Sequence, residues 1–150
     1  MQEAPPLSEV TIGFDLDEFV PYLVNVLGTR LSVELGAEYG ERFGISIPEW
    51  RVLAHLSQND HVSVREIYRR VEMDKVKVSR AATRLEAAGL IVKEIPDDDR
   101  RLVALTLTAK GQNVVAEIVD MALDFERRFL AKLEPSEQET FRRLLKRMLA

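Results

Sequence analysis

Between residues 17 and 39, Phe19, Val20, Leu23, Val26, Leu27, Leu31 and Leu35 recur at three- and four-residue steps, which predicts a helix with one apolar side. Pro21 falls early enough to be tolerated in its first turn. Gly40 and Gly44 break the pattern, and Ser46-Ile47-Pro48 offers a cap and a proline suited to opening a second helix through about residue 57, with Trp50, Leu53, Ala54 and Leu56 on its apolar side. After the Gln58-Asn59-Asp60 turn, Ser63-Val64-Arg65-Glu66 matches the S-x-x-E capping box, in which two free amides are satisfied reciprocally, and predicts a short helix over 64–71. Glu72-Met73-Asp74 then forms a three-residue turn.

The next stretch combines two periods. Over residues 74–88, Val78, Ala82 and Leu85 sit at helical spacing on an inward face, Asp74 can cap the start, and Gly89 stands where a left-handed residue would end the helix. Residues 90–95 and 102–107 are rich in Val, Ile, Leu and Thr and read as two strands, joined by the charged tip Pro96-Asp97-Asp98-Asp99-Arg100-Arg101. A helix, a short turn, a second helix and a hairpin describe a winged helix-turn-helix spanning about 48–108.

Two more helices follow. Thr108 can cap one over 109–132, with Val114, Val115, Ile118, Met121, Ala122, Phe125 and Phe129 on a broad apolar face. Glu134-Pro135 separates it from a last helix over 136–149, where Ser136-Glu137-Gln138-Glu139 reads as a second capping box and Phe141, Leu144, Leu145, Met148 and Leu149 form an apolar stripe. The helices at 17–39, 109–132 and 136–149 carry apolar surface that a winged unit does not need. Burying it between two copies of the chain is the expected solution. The fold class is therefore mainly α with a small β-hairpin wing: a winged helix-turn-helix with N- and C-terminal dimerisation helices, forming a single domain over 14–150 after a flexible arm at 1–13.

Charge sharpens this picture. The chain is formally −4, yet Lys75, Lys77, Arg80 and Arg84 place four positive charges and no negative one between residues 75 and 84. Residues 1–50 carry nine acidic and two basic residues, −7, so any phosphate contact must come from the later part. A basic, hydrogen-bonding helix face on an acidic chain is the electrostatic footprint of a nucleic-acid surface; an ordinary solvated face is the alternative. Arg65, Arg69 and Arg70 are candidates for phosphate contact or for ordinary surface charge.

Composition removes other classes. At 46% hydrophobic and 31% charged residues, 150 residues suit one soluble domain. With no cysteine, there are no disulfides, thiolate metal sites or thiol redox chemistry. Only His55 and His61 are available as histidines, and no glycine-rich phosphate loop, G-x-S-x-G elbow or H-E-x-x-H stands in the chain, so no enzyme and no cofactor are expected. The run Asp97-Asp98-Asp99 is read as capping the turn and clamping an adjacent arginine rather than as a metal site, because neighbouring side chains of an extended strand point apart. No secretory signal or membrane-length apolar stretch is present, and a cytoplasmic location is expected.

Residues 74–86, Ala88-Gly89-Leu90-Ile91, residues 97–101 and Leu105-Thr106-Leu107-Thr108-Ala109-Lys110-Gly111, in this order and spacing, resemble the multiple-antibiotic-resistance regulator (MarR) family of bacterial winged-helix repressors. Weaker similarity runs back through residues 47–53 and forward over the last helices. The resemblance implies an obligate homodimer on a pseudo-palindromic double-stranded operator. It implies a recognition surface of Lys75, Val76, Lys77, Ser79 and Arg80, with Arg84 in phosphate or supporting contacts, Arg100 or Arg101 in the minor groove, and Asp99 orienting the wing arginine. Arg and Lys can donate to guanine acceptors in the major groove, and Arg favours narrow minor grooves, so the chemistry agrees with these roles.

Members of that family commonly release DNA when a small aromatic acid or its thioester binds. Tyr22, Trp50 and His55, with Arg30 or Arg51 for an anion, are the candidate effector residues implied, and ordinary packing is the alternative for each. The residues 46–53 look like members that control aromatic-acid breakdown, so an aromatic carboxylate or aromatic acyl-CoA is the expected effector, with a membrane-permeant toxic phenol as the alternative. Repression is expected because occluding a promoter needs no activating surface; activation, or a winged helix used only for protein contact, are the alternatives.

Overall fold

A computed structural model of the chain describes residues 13–59, 62–70, 73–95 and 103–150. It divides into two compact units, Met1–Val33 and Glu34–Ala150. In the first, Asp15 Oδ1 accepts from the Asp17 N–H at 3.0 Å and opens a one-turn 3-10 helix, Leu16–Glu18. Phe14 and Phe19 flank it edge to face, ring centroids 5.1 Å apart. Helix α1 (Val20–Phe43) starts directly after this turn, three residues later than the apolar spacing predicts, with Pro21 in its first turn where a missing N–H costs no hydrogen bond. The arm at 1–13 lies outside the described residues except for Gly13.

The expected end of α1 near residue 39 is corrected. The helix runs through Gly40 to Phe43, because one glycine in a helix costs only ~1 kcal/mol. It stops at Gly44, whose φ of 66° suits only a residue without a side chain, and whose N–H donates to the Gly40 carbonyl at 2.9 Å. Helix α2 (Ile47–Gln58) opens on a capping box that the apolar pattern did not reveal: Ser46 Oγ accepts from the Glu49 N–H at 3.3 Å while Glu49 Oε2 accepts from the Ser46 N–H at 2.7 Å.

The wing has one more strand than predicted. Val62–Ser63 (β1) pairs antiparallel with Ala104–Leu107 (β3), which also pairs with Ile91–Glu94 (β2), giving the order β1-β3-β2. Here the reciprocal box expected at Ser63 is corrected to a one-way cap. Ser63 Oγ accepts from the Glu66 N–H at 3.1 Å and opens helix α3 (Val64–Arg70), but the Ser63 backbone belongs to the sheet. Helix α4 (Lys75–Ala87) has the predicted limits: Asp74 Oδ1 accepts from the Lys77 N–H at 2.9 Å, and Gly89, at φ 76°, ends it. The turn before α4 is described only from Met73, which is buried, and the wing tip at 96–102, with Asp97, Asp98, Asp99, Arg100 and Arg101, lies outside the described residues.

Helix α5 (Ala109–Leu130) is capped by Thr108, whose hydroxyl accepts from the Gly111 N–H at 3.0 Å and donates to the Gly89 carbonyl at 2.6 Å. Gly111 meets the backbone of Leu90 so closely that an added Cβ would lie 2.0 Å from the Leu90 carbonyl oxygen. That contact ties the start of α5 to the end of α4. Helix α6 (Pro135–Leu149) opens at Pro135, not at the predicted Ser136–Glu139 box. Proline's fixed φ suits the first helical position, and Glu137 Oε1 accepts from the Glu134 N–H at 2.9 Å.

The core lies where α2, α3, α4, β3 and α5 meet: Val52, Leu53, Ile67, Val78, Leu85, Leu105 and Ile118 are each 1% exposed or less. Outside it, α6 buries no residue; Phe141 meets Phe129 of α5 at 6.3 Å, while Leu144, Leu145, Met148 and Leu149 stay 42–86% exposed. No helix among the described residues is long and apolar enough to cross a membrane.

Candidate nucleic-acid interface

Burying one side of α4 decides what its other side presents. Val78, Ala81, Ala82 and Leu85 are all 1% exposed or less, and the two alanines let the helix lie close against α2 and α3. Lys75, Val76, Lys77, Arg80, Thr83 and Arg84 are consequently exposed, with Ser79 half-buried at the edge. Val76 is 56% exposed, an apolar contact available on an otherwise cationic face. The structure thus brings Lys75, Val76, Lys77, Ser79, Arg80 and Arg84 together on one rigid helix, and Arg65 is exposed on neighbouring α3.

The rigidity has identifiable sources. Asp74 neutralises the free amides at the helix start, and its carboxylate is engaged at the Lys77 N–H rather than extended among the cations. At the other end the Ala88 carbonyl accepts from Lys110 Nζ at 3.0 Å and the Gly89 carbonyl from the Thr108 hydroxyl, so α5 closes the orphan acceptors of α4. Buried side-chain polar atoms without a partner are absent among the described residues.

Lys93 was not among the sequence candidates. Its Nζ stands 3.5 Å from Thr83 Oγ1 and 3.8 Å from Glu86 Oε1, so strand β2 adds a cation to the face of α4. The signal was the period-two alternation: Ile91 is buried and Lys93 half-buried, whereas Val92 and Glu94 are exposed.

The candidate effector residues belong to both units. Tyr22 and Arg30 lie on α1 in the first unit, both exposed. In the second unit Trp50 packs against Tyr39, ring centroids 5.8 Å apart, and His55 Nδ1, in the tautomer that protonates it, donates to the Arg51 carbonyl at 3.0 Å. Burial pushes the Tyr39 phenol above its ordinary pKa, with the nearby Arg51 charge opposing the shift. Tyr39 was not a candidate; it is 2% exposed and holds the Trp50 ring in place.

A family model described as MarR family matches residues 43–102, which span the basic helix and both flanking segments. The HTH-type transcriptional repressor Rv2887 of Mycobacterium tuberculosis is 30% identical over 139 residues, 91% of this chain and 98% of the relative. A crystal structure of that M. tuberculosis MarR family protein superimposes with a TM-score of 0.74 at 25% identity, covering 88% of this chain and 99% of that one. The chain belongs to the MarR family. A MarR/EmrR family transcriptional regulator from Acinetobacter sp. ADP1 shares the winged-helix fold at a TM-score of 0.80 and 30% identity, over 90% of this chain and 95% of its own. MarR family members are transcriptional regulators rather than enzymes, and the mainly helical architecture with its small sheet is theirs.

Proposed function

We propose that this MarR family regulator is a ligand-responsive repressor that binds a pseudo-palindromic double-stranded operator as a homodimer. The observation that carries the reading is the exposed cationic side of α4, held on a core whose apolar positions are fully buried. Lys75, Lys77 and Arg80 act on bases, Val76 on a thymine methyl, Ser79 on either, and Arg84 and Arg65 on phosphate. Arg100 or Arg101, oriented by Asp99, enters the flanking minor groove. The winged unit over about 48–108 reads DNA, and the helices over about 17–39, 109–132 and 136–149 join two copies; the exposed stripe Leu144, Leu145, Met148 and Leu149 supports that division.

The effector is an aromatic carboxylate or its acyl-CoA thioester. The relative Rv2887 is known in complex with p-aminosalicylic acid, which supports an aromatic acid here. Arg30 or Arg51 would hold the anion, and Tyr22, Trp50 and His55 the ring. The repressor name of that relative supports repression. The test is a mobility-shift titration on the chain's own upstream DNA with p-aminosalicylate, benzoate and benzoyl-CoA, paired with a reporter fused to that promoter. Release by at least one ligand and higher reporter output on deleting the regulator support the reading; lower output on deletion makes it an activator, and DNA binding indifferent to all three removes the aromatic-acid effector.

A further inference from the structure

A cavity of about 370 Å³ opens between α3, α4 and β2, lined among others by Ser63, Arg65, Tyr68, Lys75, Ser79 and Lys93. Three different elements each contribute one cation to it, and among the described residues no carboxylate lines it. Such a concentration of positive charge, which the Glu86 carboxylate beside Lys93 offsets only in part, lowers the free energy of an oxyanion at that position. The hydroxyls add hydrogen-bond donors: Ser63 Oγ accepts from the Glu66 N–H, which leaves its own hydrogen to donate.

Lys93 is fixed from the helix side. Thr83 Oγ1 donates to the Ser79 carbonyl at 3.0 Å and accepts from Lys93 Nζ at 3.5 Å, while Glu86 Oε1 lies 3.8 Å from the same ammonium. The lysine is thereby stretched from the wing sheet across to α4, with a side chain only 30% exposed. Holding a solvated lysine in this geometry costs rotamer entropy, and a single partly exposed ion pair returns little of it. The ammonium carries three N–H donors, enough for an anion on the cavity side as well as Thr83 and Glu86.

We infer that this cavity seats a backbone phosphate of the bound duplex, with Lys93 as its wing-side contact and Arg65 opposite, while Lys75 at the rim stays directed to the bases. The occupant follows from continuity: Lys75 and Ser79 belong both to the cavity lining and to the proposed DNA face, so a duplex laid along α4 brings its own phosphates to the cavity mouth. One phosphate would then be held by helix and wing together, fixing the wing relative to the major-groove reader. The inference rests on the proposed DNA reading.

The experiment is fluorescence anisotropy of the full chain on its upstream DNA and on unrelated DNA, between about 50 and 200 mM salt. Lys93→Ala removes one contact from each protomer of the dimer, and is expected to make the slope of log K against log salt shallower by ~1.8 and to weaken binding on the order of sixtyfold near 0.1 M salt, with Lys93→Arg restoring both. Glu86→Gln, which frees Lys93, is expected to leave affinity unchanged or raise it. An unchanged slope for Lys93→Ala, or a Glu86→Gln variant that weakens binding as Lys93→Ala does, overturns the phosphate seat and leaves Lys93 a strut between wing and helix. Thermal melting of each variant separates loss of fold from loss of contact, and Lys93→Gln repeats the slope test if the alanine variant melts early. If the unaltered protein does not prefer its upstream DNA, the DNA reading fails and the seat falls with it; if that preference stands and the slope does not move, only the seat fails.

Discussion

Helices α4 and α6 are of similar length, 13 and 15 residues, and treat their apolar sides in opposite ways. In α4 the apolar positions Val78, Ala81, Ala82 and Leu85 are filled by neighbours of the same chain, and the cations are left for a polar partner. In α6 nothing is buried, and Leu144, Leu145, Met148 and Leu149 remain open while the charged residues are already paired in part, Arg142 with Glu126 at 2.7 Å. A helix whose apolar side is satisfied presents charge to a polar partner; one whose stripe is open presents apolar surface, and under the proposed dimer a second copy of the chain covers it.

The same substitution made in both helices gives the largest contrast. Leu85→Ala should lower the unfolding free energy by ~2–5 kcal/mol, since it opens a cavity in a packed core. Leu145→Ala should change protomer stability by only about 0.5 kcal/mol, yet weaken self-association on the order of tenfold. Denaturation at two protein concentrations and sedimentation equilibrium separate the two effects. Equal loss of protomer stability would erase the distinction between the helices.

Next in size is Gly111→Ala. An added Cβ meets backbone rather than a flexible side chain, so the α5 start must move from Leu90, at a cost of ~1–3 kcal/mol read by thermal melting. Because Lys110 and Thr108 hold the end of α4 through the same junction, DNA affinity should fall with it. Arg80→Ala, on the exposed side of α4, should leave melting unchanged and cost ~1–3 kcal/mol of discrimination between operator and unrelated DNA in a competition assay.

The smallest effect concerns the exposed Asp124. Hydrogen bonds from Arg127 and then Arg128 hold its carboxyl below the ordinary aspartate range, and Arg128 reaches on to Glu38 at 2.7 Å. A folded-state pKa below the unfolded one means that the contribution is complete above the unfolded value and is lost as pH falls through the folded one. A melting series into acid should therefore show Asp124→Asn slightly less stable than the unaltered chain near neutrality and converging with it below about pH 3.8, the ordinary aspartate value. The difference should shrink with added salt.

The region around α4 was legible because several local signals agree there. Asp74, the spacing of Val78, Ala82 and Leu85, and Gly89 define one helix from cap to cap, and the cations follow as its remaining surface. Strand β1 was hidden because two residues carry no period, and its partner β3 lies some forty positions away. The ends of α1 and α6 were misread because a single glycine is weaker than a helix already propagating, and because Pro135 outranks a serine cap one residue later. Effector residues were the least legible. Trp50 and His55 have packing partners within their own unit, Tyr39 and the Arg51 carbonyl, which sequence spacing cannot distinguish from ligand contacts.

The most direct test of the central claim, that the cationic side of α4 reads DNA, is a competition titration of the purified protein between its upstream intergenic DNA and a shuffled duplex of equal length, across salt. Binding to the upstream DNA is expected to be tighter by on the order of a thousandfold or more, with a salt-dependent affinity, and the preference is expected to fall by about five- to 150-fold in Arg80→Ala. Equal and weak binding to both duplexes, or a preference untouched by Arg80→Ala, would contradict it.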